Sequence, residues 1–109
     1  MEKFIKGQVV IFPFPFSDLS GSKRRPALVL ASLTGDDLIC CQITSQINKD
    51  EYSISLTTED FIKGSLPVPS MIRPNRIFTV DQKIIVGSAG SLSLSKVNEV
   101  VQRLLEIFK

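Results

Sequence analysis

Apolar and polar positions divide the chain into short extended runs followed by one helical run. Gln8-Val9-Val10-Ile11-Phe12 is β-branched and apolar, which predicts a first strand. It continues into Phe12-Pro13-Phe14-Pro15-Phe16, where two prolines remove amide donors, so the chain is expected to leave the sheet or lie on its edge. Residues 17–25 read as a loop longer than an ordinary hairpin connection, and long loops are often functional. Residues 26–32 are apolar on both faces, the pattern of a central strand. Thr34-Gly35-Asp36-Asp37 has turn composition, and residues 38–44 predict a third strand. After a polar stretch, Tyr52-Ser53-Ile54-Ser55-Leu56 alternates as a half-exposed strand. Thr58-Glu59-Asp60-Phe61 predicts a short helical turn capped by Thr58 and ended by Gly64, and Pro67 and Pro69 make the next segment irregular. Residues 70–73 and 76–81 read as two strands split at Pro74-Asn75, with residues 84–87 as a candidate further strand.

Only one convincing helix follows. Leu94, Val97, Val101, Leu104 and Phe108 recur at helical spacing, and Val100, Leu105 and Ile107 widen the stripe. Ser93 suits the N-cap and Lys109 the negative C-terminal end. The apolar stripe is expected to pack on the strands. Six or seven short strands and one helix predict a mainly β domain. A small SH3-like antiparallel barrel with a C-terminal α-helix closes them most economically.

At 109 residues the chain is expected to be a single domain, 1–109. Its 43% hydrophobic and 22% charged residues are those of an ordinary globular chain. The net charge is only +2, so any basic surface has to come from local clustering. No apolar stretch approaches the ~18 residues of a membrane span, and no signal-peptide pattern opens the chain, so a cytoplasmic protein is expected. The chain has no histidine, which removes the usual general base and every His-dependent triad. Cys40 and Cys41 are adjacent on a predicted strand and point to opposite faces, as suits buried thiols and not metal ligands. No metal site is expected.

The chemistry concentrates at Ser20-Gly21-Ser22-Lys23-Arg24-Arg25-Pro26, followed at once by the apolar run Ala27-Leu28-Val29-Leu30. Gly21 supplies backbone freedom, and Pro26 biases Arg25 toward an extended conformation. Two readings of the three cations stand open: a solvated basic tip, or a guanidinium held at the rim of a rigid element. The three phenylalanines of residues 12–16 either stack on bases or pack beneath the loop. Thr44 at a strand end is by itself an ordinary β-former, and Arg73 and Arg76 flanking a turn are by themselves ordinary solvated cations.

Their order along the chain adds to this. Gly7-Gln8-Val9-Val10, Pro13-Phe14-Pro15-Phe16-Ser17-Asp18 and Gly21-Ser22-Lys23-Arg24-Arg25-Pro26-Ala27-Leu28-Val29-Leu30 closely resemble the PemK/MazF toxin family. Ile43-Thr44-Ser45-Gln46, Ser70-Met71-Ile72-Arg73, Phe78-Thr79-Val80-Asp81 and the helix after Leu92-Ser93 extend the resemblance over nearly the whole chain. The resemblance implies the toxin of a type II toxin–antitoxin system, an SH3-like barrel homodimer of the CcdB/MazF/Kid type. It further implies a sequence-specific endoribonuclease that cuts single-stranded RNA (mRNA) without metal or cofactor and inhibits growth. The implied partners are RNA, a cognate antitoxin protein, and operator DNA only within the toxin–antitoxin complex. Arg25 and Thr44 match the family's catalytic pair, and Arg73 a further basic residue used in some members. Ser17, Asp18, Lys23, Arg24, Ser45, Gln46, Arg73 and Arg76 are the expected RNA-binding residues. The loop carrying residues 17–24 would cover the RNA and be displaced by antitoxin. Where some members have a carboxylate two residues after the arginine matched by Arg73, this chain has Asn75, which is no base; Asp18 and Asp81 are the remaining carboxylates on motif grounds, Asp81 reading also as a turn residue, and the general base stays open. Two alternatives belong to other classes: a toxin of the same fold that poisons a protein such as gyrase through its C-terminal helix, and a non-catalytic nucleic-acid-binding corepressor. A C2 dimer using strand edges and the C-terminal helix would place both basic loops over one RNA strand.

Overall fold

The computed structural model describes residues 4–14, 23–46 and 50–109. Within them the chain forms β1 (Gln8–Phe14), β2 (Lys23–Ser32), β3 (Asp37–Thr44), β4 (Ile54–Leu56), β5 (Phe61–Gly64), β6 (Ser70–Asp81), β7 (Gly87–Leu92) and α1 (Leu94–Ile107). Short 3₁₀ turns at Thr58–Asp60 and Gln82–Ile84 precede β5 and β7. The strands make one curled antiparallel sheet in the order β4-β6-β3-β2-β1-β7-β5. The molecule is mainly β with one C-terminal helix, as its pattern predicts.

The continuous apolar runs arise because both sheet faces are covered. Val9, Leu28, Cys41, Ile43 and Ile72 join Ile54, Leu56, Leu92 and the helix residues Val97 and Val100 in one cluster. Val10, Ala27, Val29 and Cys40 join Phe12, Leu38 and Val80 in a second. Successive strand residues point to opposite faces, so neighbours such as Val9 and Val10, or Cys40 and Cys41, supply different clusters. Both cysteines are fully buried, and burial pushes each thiol up to about 12.

Several elements depart from the pattern. β2 starts at Lys23, three residues before the expected boundary, so Lys23, Arg24 and Arg25 lie on a strand. They face Phe14, Pro13 and Phe12 of β1. β1 does not leave the sheet at Pro13. Its pairing with β7 runs only from Gln8 to Ile11, so Pro13 has no β7 partner whose acceptor goes unmet, and the edge alternative holds. The two strands expected around Pro74-Asn75 are one strand, β6, whose register with β3 shifts there. Cys41 faces Ile77 while the next residue, Gln42, faces Arg73. Residues 74–76 are the surplus, and a bulge accommodates a proline without ending the strand. Residues 84–87 are not a strand; pairing begins at Gly87 and runs through small residues to Leu92. Thr57 rather than Thr58 caps the first 3₁₀ turn, its N–H donating to the Asp60 carboxylate at 2.8 Å, and the residues that follow form β5 instead of a longer helical turn.

Ser93 caps α1 as expected, its hydroxyl accepting the Lys96 N–H at 3.2 Å. The buried stripe is narrower than the periodicity suggests: Val97 and Val100 are buried, whereas Leu94, Leu105 and Phe108 are exposed. Lys96 ties the helix to two other elements. Its side chain is only 11% exposed, and Nζ donates to the Ser55 carbonyl at 3.1 Å and lies 3.6 Å from Asp60 and 2.9 Å from Glu99. Lys96→Met is expected to destabilise the fold by about 1–3 kcal/mol, because it strands a shielded carbonyl and carboxylate. A lowered urea midpoint with an unchanged slope is the expected readout.

Candidate functional site

The start of β2 and the end of β3 lie side by side at one end of the sheet. Ala27 faces Gln42, and two residues further along each strand lie Arg25 and Thr44. Pairing with Phe12 and the Pro26 that follows keep Arg25 extended at this end. Here a groove of about 410 Å³ opens. Arg24, Arg25, Thr44, Ser45, Gln46 and Ser70 form its polar wall, and Ile11, Pro26, Ile43, Leu66, Pro67 and Val68 its aliphatic wall. Arg25 is half-buried and Arg24 exposed, so the two guanidiniums differ in freedom although they are adjacent.

Thr44 is buried, and its Oγ1 accepts the Gln46 N–H at 3.1 Å. That bond turns Ser45 and Gln46 out of the strand and leaves the hydroxyl proton for another acceptor. The aliphatic wall is pinned at both ends: the Ser70 hydroxyl donates to the Val68 carbonyl at 3.1 Å, and the Ser65 N–H donates to the Ala89 carbonyl at 3.1 Å. Sequence reasoning missed this wall. Its one signal was an apolar Leu-Pro-Val-Pro stretch without strand or helix periodicity.

The structure brings five of the expected site residues into the groove: Arg24, Arg25, Thr44, Ser45 and Gln46. Lys23 is placed by its backbone opposite Phe14. Ser17 and Asp18 lie outside the described residues. Arg76 and Asn75 are exposed on the β6 bulge and are not among the groove's lining residues. Asp81 sits opposite Asp37 at the far end of β3, with its carboxylate accepting the Lys83 N–H at 2.9 Å. Seven strand steps separate Asp37 from Thr44, about 23 Å at ~3.3 Å per residue, so Asp81 is remote from the groove. Phe12 is buried against Phe78 with ring centroids 5.2 Å apart, which favours the packing role for that aromatic.

Arg73 points elsewhere. Its Nη2 donates to Asp50 Oδ2 at 3.1 Å, with both side chains largely shielded. Asp50 Oδ1 accepts from the Tyr52 N–H at 2.9 Å, the Ser53 N–H at 2.7 Å and the Ser53 hydroxyl at 2.8 Å. The Ser53 hydroxyl first, then the two amides and Arg73, outweigh partial burial and hold the Asp50 carboxyl down at about 2 against its usual 3.8. A folded-state value below the unfolded one stabilises the protein above about pH 4, and that contribution is lost as pH falls through about 2. The stability difference between wild type and Asp50→Asn is therefore expected to be level from about pH 5 to 7, to shrink below about pH 4 and to reach its acid limit only below about pH 2, as followed by denaturant midpoints. Among the described residues no group of three His, Cys, Asp or Glu side chains is placed to hold a metal ion, and no helix is long and apolar enough to cross a membrane.

The curled antiparallel sheet with its C-terminal helix is a fold shared with several solved structures. MazE-MazF from Deinococcus radiodurans superposes with a TM-score of 0.78 at 19% identity, over 98% of this chain and 97% of that one. A mycobacterial endoribonuclease in complex with its cognate antitoxin gives 0.75 at 13% identity, over 95% and 93%. A mycobacterial endoribonuclease alone gives 0.74 at 15% identity, over 99% and 93%. Residues 5–108 match the family model for the PemK-like, MazF-like toxin of type II toxin-antitoxin system, and the chain belongs to that family. Comparison with curated protein sequences finds no match.

Proposed function

We propose that this chain is a metal-independent endoribonuclease toxin that cuts single-stranded RNA in the groove between the start of β2 and the end of β3. The observation that carries the reading is the convergence of Arg24, Arg25, Thr44, Ser45 and Gln46 on that groove. The 2′-OH attacks the adjacent phosphorus and gives its proton to solvent, the O2′–P bond forms, the P–O5′ bond breaks, and the departing O5′ takes up a proton from solvent, which leaves a 2′,3′-cyclic phosphate and a 5′-OH. The Arg25 fork suits two non-bridging phosphate oxygens, whose charge grows in the transition state. Arg25 does not serve as the base, because a guanidinium stays protonated. The Thr44 hydroxyl can donate to the phosphate or engage the 2′-OH. Arg24 supplies attraction along the backbone, and Ser45 and Gln46 offer donors and acceptors to base edges. Family membership and likeness to a MazE-MazF structure support neutralisation by a cognate antitoxin.

The purified protein is expected to cut single-stranded RNA in excess EDTA, leaving cyclic-phosphate and 5′-OH ends detectable by end-specific ligation. Supercoiling inhibition without RNA cutting would instead assign it to the protein-poisoning class. Steeply salt-dependent binding without cutting would assign it to the corepressor class.

A further inference from the structure

We infer that a second groove, on the far side of the aliphatic wall, is a base-reading subsite for an RNA nucleotide that carries an exocyclic amino group. The inference rests on the endoribonuclease reading for the nature of the strand and adds what one of its bases meets. The second groove has a volume of about 380 Å³, within the ~300–1,000 Å³ of small-ligand sites. Leu66, Pro67 and Val68 line both grooves, so one three-residue segment is the partition between them. The two sides differ in charge. The first presents Arg24 and Arg25, which suit phosphate, whereas the lining of the second holds one carboxylate, Glu59, and no lysine or arginine. A strand with its phosphate on the arginine side can therefore lay an uncharged base, but not a second phosphate, across the partition. Leu56 and Phe61 offer that base apolar surface, and Thr57, Thr58 and Glu59 offer its edge polar groups. Glu59 is exposed, and among the described residues it has no hydrogen-bond or ion-pair partner. The turn that carries it is fixed through the next residue, Asp60. The Asp60 carboxylate accepts the Thr57 N–H at 2.8 Å and lies 3.6 Å from Lys96 Nζ, and the Asp60 carbonyl accepts the Ser93 N–H at 2.8 Å. A carboxylate only accepts, so it selects the amino N–H groups of adenine, cytosine or guanine. Uracil has no amino group, and its one ring N–H sits between two carbonyls that the carboxylate repels.

The test uses the full chain and 2′-O-methyl hexanucleotides of cytidine, adenosine or uridine, which lack the attacking hydroxyl and stay intact. Binding is followed by NMR at the Thr58 and Glu59 amides. The cytidine and adenosine probes are expected to shift both amides and to bind about tenfold more tightly than the uridine probe. Glu59→Gln, whose amide both donates and accepts, is expected to reduce that ratio to about one without changing the urea midpoint. The variant also separates base reading from stacking, because a preference that arises from stacking survives it. Equal affinity of the three probes for wild type overturns the inference, and so does a preference that Glu59→Gln retains. Shifts confined to residues 24–46, or binding of no probe, overturn it as well and leave the second groove to a protein partner. In unmodified RNA of mixed sequence, the mapped 5′ ends are expected to show an amino-bearing base at one fixed position beside the cut, relaxed to include uracil in Glu59→Gln. Wild-type protein that cuts no RNA defeats the endoribonuclease reading, while the uncleavable probes still decide the subsite.

Discussion

Arg25→Ala is expected to lower RNA cutting by about 10³-fold, the usual cost of removing one fixed donor from a charge-stabilising site. The circular dichroism spectrum and urea midpoint should stay close to wild type, because the side chain is only half-buried and lies at the mouth of β2. Arg25→Lys keeps the charge but loses the planar two-pronged donor, so it should recover only part of the activity. Arg24→Ala provides the contrast. Its guanidinium is exposed in the same groove, so cutting should weaken several-fold and the salt dependence of binding should fall by about 0.7 in logarithmic slope, the value for one single-strand phosphate contact. Equal effects for the two arginines would remove the distinction drawn between a phosphate-holding and a guiding cation. Full activity in Arg25→Ala would remove the catalytic assignment.

Gly90→Ala is expected to cost more than about 3 kcal/mol of stability, enough to unfold much of a marginal domain. Gly64 and Gly90 face each other across β5 and β7. A Cβ on Gly90 would lie 2.0 Å from the Lys63 carbonyl oxygen, and one on Gly64 would lie 2.0 Å from the Ala89 carbonyl oxygen. Both obstacles are backbone atoms that cannot swing aside, and both glycines hold positive φ, +142° and +78°. Gly35→Ala, at φ +85° with open space around it, should cost only about 1 kcal/mol. Equilibrium urea unfolding of the three variants measures the difference. The same contact reaches the groove, because the Ala89 carbonyl accepts the Ser65 N–H at the start of the aliphatic wall. Gly64→Ala should therefore reduce cutting even below its unfolding temperature.

Much of the candidate site was legible along the chain because its parts are local. Arg25-Pro26 before a buried run places a cation at a strand edge, and Ile43-Thr44-Ser45-Gln46 ends a strand in polar residues. What pattern alone left open was whether those two ends meet. They do because β2 and β3 are hydrogen-bonded neighbours with Ala27 opposite Gln42. The partner of Arg73 was not legible at all: Asp50 lies 23 residues earlier in the chain, in a polar stretch without periodicity.

The sequence by itself determined how faces alternate along the strands and where the helical stripe runs, though not how much of that stripe is buried, because the pleat repeats every two residues and the helix every 3.6. β1, β2, β3, the Ser93 cap, the opposed cysteines and Arg25 at a strand edge follow from those local rules. Only the tertiary structure decided β7, a strand of small residues that exists because the free edge of β1 accepts it. It also decided the single bulged β6, the wall at Leu66, Pro67 and Val68, and the diversion of Arg73 to Asp50. Each of these depends on register between distant segments, and a one-residue shift in register changes every neighbour while leaving the local pattern untouched.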